Sequence, residues 1–416
     1  MSSVPLPIQI TSPQIWNNYA ARYDVEKSNI FQLQCYNSAS KIGIPQYLAL
    51  RAIWSFDAPT KFKAHECGIQ AVEKARGLLR KLPFWKEFLQ TVSKHVPVDK
   101  VLPVNHAIGD FKLIWYGQQL IYWGQSTKDN EGNLDFSPPR AKPKTRAGVI
   151  PEGDDEDPFT QSPQHTRVGS LMERFQEFRI DDCLPDKQIA TPSREEWIEQ
   201  EPETPADDID GDPDYVPEDD LDMEPETFDP VSDENVVNSY FVNFANAVTI
   251  SIKGMKAHWT QERKAFIVCD KGKRKIYEAR TDGHLSLPDG NHSLAIIEVK
   301  PAFRATIPRV MMQETAQMAA WINNEPDIDI DTSPKDKRFR HLLFSQNRHE
   351  IFLIVAEYDA GYIDYIRDPD GRPESRSFLM MKQFGPWRIT NADDVMQIGS
   401  IILAVTLQLA DGIPLA

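Results

Sequence analysis

The pattern of apolar and polar positions divides the chain into three parts. Residues 1–123 carry apolar side chains mostly at helical spacing, residues 124–230 lose the apolar pattern, and residues 231–416 regain it with both helical and alternating periods. We therefore predict a mostly helical N-terminal region, a linker with no core of its own and a C-terminal α/β domain.

The N-terminal region is predicted to contain several short helices. Apolar residues recur at helical spacing at 46–54, 61–80 and 84–92. Residues 111–124 are rich in aromatic side chains, which favour strands, and we expect two short strands there. No motif in this region indicates which protein would bind it.

The middle part is acidic and rich in proline. Residues 151–230 hold 27 Asp and Glu against five Lys and Arg, a local net charge of −22 compared with −16 for the whole chain. Such a composition buries too little apolar area to offset chain entropy, which predicts a disordered linker. The rest of the chain carries a net charge of +6, so the acidic pI of the whole chain does not exclude nucleic acid as a ligand of the folded part.

The C-terminal part is predicted to form a mixed sheet flanked by helices. Ser232-Asp233-Glu234 and Thr390-Asn391-Ala392-Asp393 are helix-start sequences that precede long apolar helical stretches. The predicted strands are 264–270, 276–287, 292–300, 350–359 and 361–366, with a helix at 309–322. The order helix, three strands, helix, strand or strand pair, helix is typical of a sheet covered by helices.

Several classes of protein are excluded by these patterns. No apolar run reaches the roughly 18 residues of a membrane span, and the first residues lack the basic and apolar segments of a secretory signal. The four cysteines have neither disulfide-scaffold nor zinc-site spacing, and phosphate-binding glycine motifs are absent. We expect an intracellular protein, nuclear or cytoplasmic, that does not bind membranes.

Two carboxylates and a lysine are predicted to meet on one face of the sheet. Glu298 and Lys300 share a face because side chains alternate along a strand. If the second and third predicted strands fold about the turn that contains Asp289, residues whose numbers sum to 580 lie opposite one another. Asp282 then lies about 5 Å from Glu298, whereas Asp289 is too far along the strand to join them.

Carboxylates at this distance are suited to a divalent cation. Mg²⁺ prefers oxygen ligands and keeps several of its waters, and a bound metal lowers the pKa of such a water. A neighbouring lysine can orient the water or stabilise charge on a phosphate. The pattern therefore predicts phosphodiester hydrolysis with Mg²⁺ or Mn²⁺ held by Asp282 and Glu298.

Asp282 followed by Glu298-Val299-Lys300 resembles the signature of PD-(D/E)XK nucleases, which have the restriction-endonuclease-like fold. Residues 298–304 and 313–322 are similar to uncharacterised fungal PD-(D/E)XK nuclease-like proteins. The resemblance covers residues 231–410 and implies a metal-dependent nuclease acting on DNA, or on RNA. Here the Pro-Asp pair of the family name lies in the turn, and Asp282 takes its place.

The resemblance also implies further catalytic residues. Glu234 would be an auxiliary acid from the first helix, although an acid in a first helical turn also complements the helix dipole. A glutamine from the helix after the third strand would orient the site, and Gln313 and Gln317 share one helix face. We favour Gln317.

Basic residues in the same part are candidates for contacts with nucleic-acid phosphates. The first set is Lys271, Lys273, Arg274, Lys275 and Arg304, and the second cluster is Lys335, Lys337, Arg338 and Arg340.

Two simpler interpretations stay open. Glu298 and Lys300 can form a structural ion pair, and His284, on the same face as Asp282, can be an ordinary packed residue. The alternative to an enzyme is a catalytically inactive nuclease-fold protein that binds nucleic acid or another protein.

Overall fold

The computed structural model describes residues 9–33, 38–97, 100–123, 233–288, 290, 292–307, 309–325, 337–368 and 377–415. The predicted linker, Asp289 and Lys335 lie outside the described residues.

A mixed sheet of seven strands forms the centre of the molecule, with a separate two-stranded hairpin beside it. The strands are β1 (Ala52–Asp57), β2 (His258–Thr260), β3 (Ala265–Cys269), β4 (Lys275–Arg280), β5 (Gly283–Ser286), β6 (Ala295–Lys300), β7 (Arg338–Asn347), β8 (Glu350–Asp359) and β9 (Leu379–Arg388). The order in the sheet is β1-β9-β8-β7-β6-β5-β2, and β3 pairs with β4 in the hairpin. The β1–β9 and β6–β7 pairs are parallel, and the other pairs of the sheet are antiparallel.

Helices cover both faces of the sheet. They are α1 (Pro13–Arg22), α2 (Ile44–Ala49), α3 (Val72–Leu79), α4 (Trp85–Leu89), α5 (Lys112–Trp123), α6 (Glu234–Thr249), α7 (Val310–Asn324), α8 (Ala360–Arg367) and α9 (Ala392–Ala410). One core contains residues of α3, α4, α5, α6 and α9, and the other contains residues of α1, α2, α7, α8 and the hairpin. The predicted α/β class with a mixed, helix-flanked sheet is therefore confirmed.

The predicted starts of the two long helices are confirmed, because a side chain caps each one. Asp233 accepts a hydrogen bond from the backbone N–H of Asn235 at the start of α6. Asn391 accepts from the N–H groups of Asp393 and Asp394 at the start of α9. These caps satisfy N–H groups that have no partner within the helix.

Two predicted strand regions are helices instead. Residues 111–124 contain α5, whose buried positions, among them Ile114, Gln118 and Ile121, recur at helical spacing. Residues 361–366 lie in α8, where the Asp359 side chain caps the N–H of Tyr362. Aromatic composition favoured strands, but in α5 the helical period of burial decided the structure.

One predicted strand is broken. Residues 276–287 form β4 and β5, which belong to different sheets and separate at Thr281 and Asp282. Lys264 stabilises this break, because its N–H donates to Thr281 Oγ1 and its carbonyl accepts from the Thr281 N–H.

The predicted helix at residues 61–80 is shorter than expected. These residues are helical over Val72–Leu79, with 3₁₀ turns before them.

Strand β1 joins the N-terminal region to the sheet. The predicted helix at 46–54 ends at Ala49, Arg51 has a φ of 52°, and Ala52 begins β1. Because β1 pairs with β9, the described parts of residues 1–123 and 231–416 share one sheet and one compact unit.

Among the described helices, α9 has the length and apolar composition that a membrane span needs. In the structure, 61% of the apolar stretch of α9 is buried inside the protein. A core helix of this kind meets the length and composition criterion without crossing a membrane.

Candidate active site

The register of β5 and β6 places Asp282 beside Glu298. Gly283 pairs with Ile297 and His284 with Ile296, so paired residue numbers sum to 580, as predicted. The backbone N–H of Asp282 donates to the carbonyl of Ile297 at 3.0 Å, which continues the pairing to the end of β5. The break between β4 and β5 therefore brings the Asp282 carboxylate to the carboxyl end of β6.

Three carboxylates converge at this point. Each of Glu234, Asp282 and Glu298 offers one oxygen atom, and these atoms all lie within 4.8 Å of one another. Glu234 is the first residue of α6, and its carboxylate lies 3.5 Å from Nζ of Lys300, the last residue of β6. The structure thus brings together the three predicted acidic residues from three different elements.

Glu298 is fully buried and accepts hydrogen bonds on both oxygens. Its Oε1 accepts from Lys300 Nζ at 2.5 Å and from Gln313 Nε2 at 2.6 Å. Its Oε2 accepts from Gln317 Nε2 at 2.5 Å. Both glutamines of α7 therefore contact the same carboxylate, because positions four apart share one helix face.

Asp282 and Lys300 complete the centre of the site. Asp282 Oδ2 accepts from the N–H of Val299 at 2.9 Å, and its Oδ1 lies 3.7 Å from Arg263 Nη2. Lys300 Nζ lies 3.5 Å from Glu234 Oε1, so it bridges two of the carboxylates. The lysine is thus placed between the acids, in contact with the cleft above them.

The acidic cluster changes the pKa values of its members. Burial, followed by the negative charge of Asp282, raises the pKa of Glu298 from 4.5 to about 8. Burial also raises the pKa of Glu234, although Lys300 opposes that change. Burial opposes the charge of Lys300, but Glu298 and Glu234 together raise its pKa above the ordinary value. In the metal-free protein, burial and Asp282 therefore favour the protonated form of Glu298, whereas Lys300 and Gln317 favour its carboxylate.

An open cleft of about 540 Å³ lies above the cluster. Its floor includes Glu234, Asp282, Lys300 and Gln313. Its walls contain the basic residues Arg263, Lys275 and Arg280, together with Ser38 and Ser40 from the N-terminal region. The sequence predicted Lys275 among these wall residues, since it lay in a dense basic run.

The wall residues that sequence reasoning missed have no local signal. Arg263 immediately precedes a predicted strand, and Arg280 lies within another, so neither belongs to the basic clusters. Ser38 and Ser40 precede the first predicted helix by many positions and reach the cleft through the tertiary fold.

Arg304 was predicted to contact nucleic acid, and the structure contradicts this. Its side chain is buried, with Nη1 donating to Glu314 Oε1 at 2.7 Å and Nη2 donating to Glu314 Oε2. Nη1 also lies 3.3 Å from Ser345 Oγ and from Asn347 Oδ1. These internal partners occupy the guanidinium group, so Arg304 holds α7 against the sheet.

Apart from Lys275, the other predicted basic residues that the structure describes lie outside the centre of the site. Arg274 pairs with Asp270 at 2.9 Å near the tip of the hairpin, where Lys271 and Lys273 also lie. In the second cluster, Arg338 and Arg340 pair with acids of β8 at 3.0 Å. His284 is buried, with its Nδ1 3.1 Å from Ser293 Oγ. It does not belong to the cluster of residues that could hold a metal ion.

Comparisons with known proteins identify no relative of this chain, so the site is interpreted from its own chemistry. The chain matches no protein-family model, no curated protein and no solved structure.

The donor set fits a hard divalent cation. Three carboxylate oxygens from Glu234, Asp282 and Glu298 are the ligands that Mg²⁺ and Mn²⁺ prefer. Gln317 Oε1 is buried and has no hydrogen-bond partner among the described residues, which leaves an acceptor for a water near the cluster. The geometry is therefore suited to polarising a phosphate and activating a water beside Lys300.

Proposed function

We propose that this chain is a metal-dependent nuclease of the PD-(D/E)XK type that hydrolyses phosphodiester bonds in DNA or RNA. The observation that carries the proposal is the convergence of Glu234, Asp282 and Glu298 within 4.8 Å, with Lys300 in contact with two of them. A structural ion pair would need one carboxylate. Three ionised acids outnumber the two cations that contact them, Lys300 and Arg263, and so leave negative charge that a metal ion would neutralise.

The arrangement of elements around the site supports a restriction-endonuclease-like fold. Helix α6 precedes the antiparallel pair β5 and β6, and α7 then crosses to β7, which runs parallel to β6. The acids lie where β6 ends, and the crossover helix supplies Gln313 and Gln317. A helix, an antiparallel strand pair, a crossover helix and a parallel strand around the acids support our proposal of that fold.

Asp282, Glu298 and Glu234 would hold Mg²⁺ or Mn²⁺ through their oxygen atoms. The cation would polarise the scissile phosphate and lower the pKa of a bound water. The Val299 N–H and the two glutamines keep Asp282 and Glu298 in fixed orientations. Such fixed orientation is what a metal site gains from the groups around its ligands.

Lys300 would act on the substrate rather than on the ligands alone. Its Nζ lines the cleft and carries a charge at neutral pH, so it can position the attacking water and stabilise the charge that develops on the phosphate. The water oxygen would form a new bond to phosphorus as the bond to the leaving oxygen breaks, and the proton that the attacking water releases to solvent is balanced by the one that the leaving oxygen takes up. Lys300 is therefore the catalytic residue of the proposal that does not serve as a metal ligand.

Cleavage of plasmid and single-stranded DNA in the presence of Mg²⁺ tests this proposal. We expect cleavage that EDTA abolishes and that Lys300→Ala removes without unfolding the protein. Nucleic-acid binding by the wild-type protein without cleavage under any divalent cation would instead support the inactive, binding alternative.

A further inference from the structure

Arg263 lies in the cleft beside the acidic cluster and contacts one of its acids. Its Nη2 lies 3.7 Å from Oδ1 of Asp282. The other carboxylate oxygen of Asp282, Oδ2, accepts a hydrogen bond from the backbone N–H of Val299. Arg263 is therefore paired with the oxygen of Asp282 that the backbone of β6 leaves available for a metal ion.

The backbone next to Arg263 is fixed, whereas its side chain has freedom to move. Lys264, the following residue, donates from its N–H to Thr281 Oγ1 at 3.1 Å and accepts from the Thr281 N–H at 3.0 Å. These bonds hold Arg263 near Asp282, the residue after Thr281. The side chain of Arg263 is 56% exposed, and its 3.7 Å contact is longer than a hydrogen bond. The guanidinium group can therefore turn between Asp282 and the open cleft.

The balance of charge in the site changes when a metal ion binds. Lys300 contacts Glu234 and Glu298 and supplies one positive charge to the three carboxylates. A divalent cation supplies two more, which balances the three ionised acids without Arg263. In the metal-bound site the guanidinium group is therefore a surplus positive charge, and its repulsion from the metal ion favours an anionic partner elsewhere in the cleft.

The cations that line the cleft differ in what holds them. Lys275 and Arg280 both contact Glu278, which is not one of the clustered acids, and a metal ion would leave these pairs in place. Arg263 instead contacts a proposed metal ligand, so metal binding removes the charge that attracts it. A guanidinium group released in this way is suited to a phosphate, because its N–H groups can bind two phosphate oxygens at once.

We propose that Arg263 alternates between two anions: it neutralises Asp282 in the metal-free protein, and it binds a phosphate of the nucleic acid once a metal ion occupies the site. This rests on the proposed nuclease function, because that function supplies both the metal ion and the phosphate. Arg263 is then a substrate-binding residue that competes with the metal ion in the free protein. Metal ion and nucleic acid consequently strengthen one another's binding through Arg263.

The metal ion and the nucleic acid are measured separately, so that neither measurement depends on cleavage. In calorimetric titration without nucleic acid, Arg263→Gln should bind Mn²⁺ about threefold to fivefold more tightly than wild type, which is the size of an exposed ion pair. With saturating Mn²⁺ and in a Lys300→Ala background, Arg263→Gln should weaken binding of a short fluorescent DNA about tenfold and lower the slope of log affinity against log salt by about one. The DNA is the duplex or the single strand, whichever the Lys300→Ala protein binds more tightly.

Arg274→Gln is the matched control. Arg274 also pairs with one aspartate, Asp270, and its side chain is 66% exposed, but it lies between β3 and β4 in the hairpin and does not contact the acidic cluster. This substitution should change either affinity less than about twofold. Arg263→Lys retains the charge and should keep the Mn²⁺ affinity within about twofold of wild type. Thermal unfolding of each variant checks that the fold is retained.

Opposite changes in the two affinities are the result that a merely structural role of Arg263 would not produce. Unchanged or weaker Mn²⁺ binding by Arg263→Gln would overturn the proposal, and so would tighter Mn²⁺ binding with unchanged DNA affinity. If the opposite changes occur but the wild-type protein cleaves no DNA, the role of Arg263 is supported and the proposed catalytic function fails. If the wild-type protein cleaves DNA with Mg²⁺ but Arg263→Gln has wild-type affinities, the nuclease function stands and the role of Arg263 is rejected.

Discussion

The Asp282 carboxylate accepts a hydrogen bond from the backbone N–H of Val299, at 2.9 Å, across the junction of β5 and β6. This contact fixes Asp282 beside Glu298 while leaving its second oxygen for the cleft. The backbone of β6 therefore orients an acid that belongs to another strand.

Asp282→Asn should abolish Mg²⁺-dependent cleavage and leave the fold intact. The amide oxygen can still accept from Val299, but it lacks the charge that a cation needs. Cleavage kinetics and thermal unfolding of the same preparation check this. Asp411→Asn, at an exposed pair with Lys256, is the control and should cleave like wild type. A stable Asp282→Asn protein with wild-type cleavage would exclude Asp282 from the site.

The pKa of Glu298 predicts how the metal-free protein responds to pH. Its pKa is about 8 in the folded state against 4.5 ordinarily, so the folded state binds more protons between these values. The free energy of unfolding should therefore fall as pH rises through this window, by up to about 1.4 kcal/mol per pH unit. Urea unfolding in EDTA checks this, with Glu298→Gln as the comparison. A parallel pH dependence in both proteins would contradict the assignment.

The affinity for a metal ion should rise with pH, whereas the stability of the metal-free protein should fall. A cation must displace the proton from Glu298, so its apparent affinity should rise with pH up to about 8 and then level off. Calorimetric titration of EDTA-treated protein with Mg²⁺ or Mn²⁺ between about pH 6 and 8 should show proton release. Affinity that is constant over this range would mean that Glu298 is not a ligand.

The buried ion pair of Arg304 and Glu314 should stabilise the fold rather than bind substrate. Arg304→Met leaves the Glu314 charge buried without its bidentate partner, and we expect a loss of about 3–5 kcal/mol. Arg338→Met, at an exposed pair with Asp359, is the matched control and should cost less than about 1 kcal/mol. Chemical denaturation measures both. Equal, small losses would contradict the structural role of Arg304.

Strand β1 should make the N-terminal region necessary for folding. Trp54 is buried and donates from Nε1 to Thr315 Oγ1 of α7 at 3.2 Å, and β1 covers the edge of β9. Trp54→Ala should therefore lower the free energy of unfolding by about 3–5 kcal/mol. A fragment of residues 233–416 should aggregate, because β9 would be an open edge. A soluble, cooperatively unfolding fragment would show that β1 is dispensable.

Local signals in the sequence determined the caps and the register that build the centre of the site. Asp233 and Asn391 cap α6 and α9, because a cap needs only a few consecutive residues. The short turn between β5 and β6 fixed which residue numbers pair, so Asp282 beside Glu298 followed from counting. Helical spacing likewise predicted that Gln313 and Gln317 share a face, and both contact Glu298.

The tertiary structure decided the features that depend on distant parts of the chain. Strand β1 joins β9 across more than half of the sequence, and Ser38 and Ser40 reach the cleft through that same docking. The sequence predicted Arg304 as a phosphate contact. In the structure its guanidinium group instead pairs with Glu314, ten residues away. Periodicity and turns act within a few residues, whereas the burial and charge partners of a side chain depend on which elements pack around it.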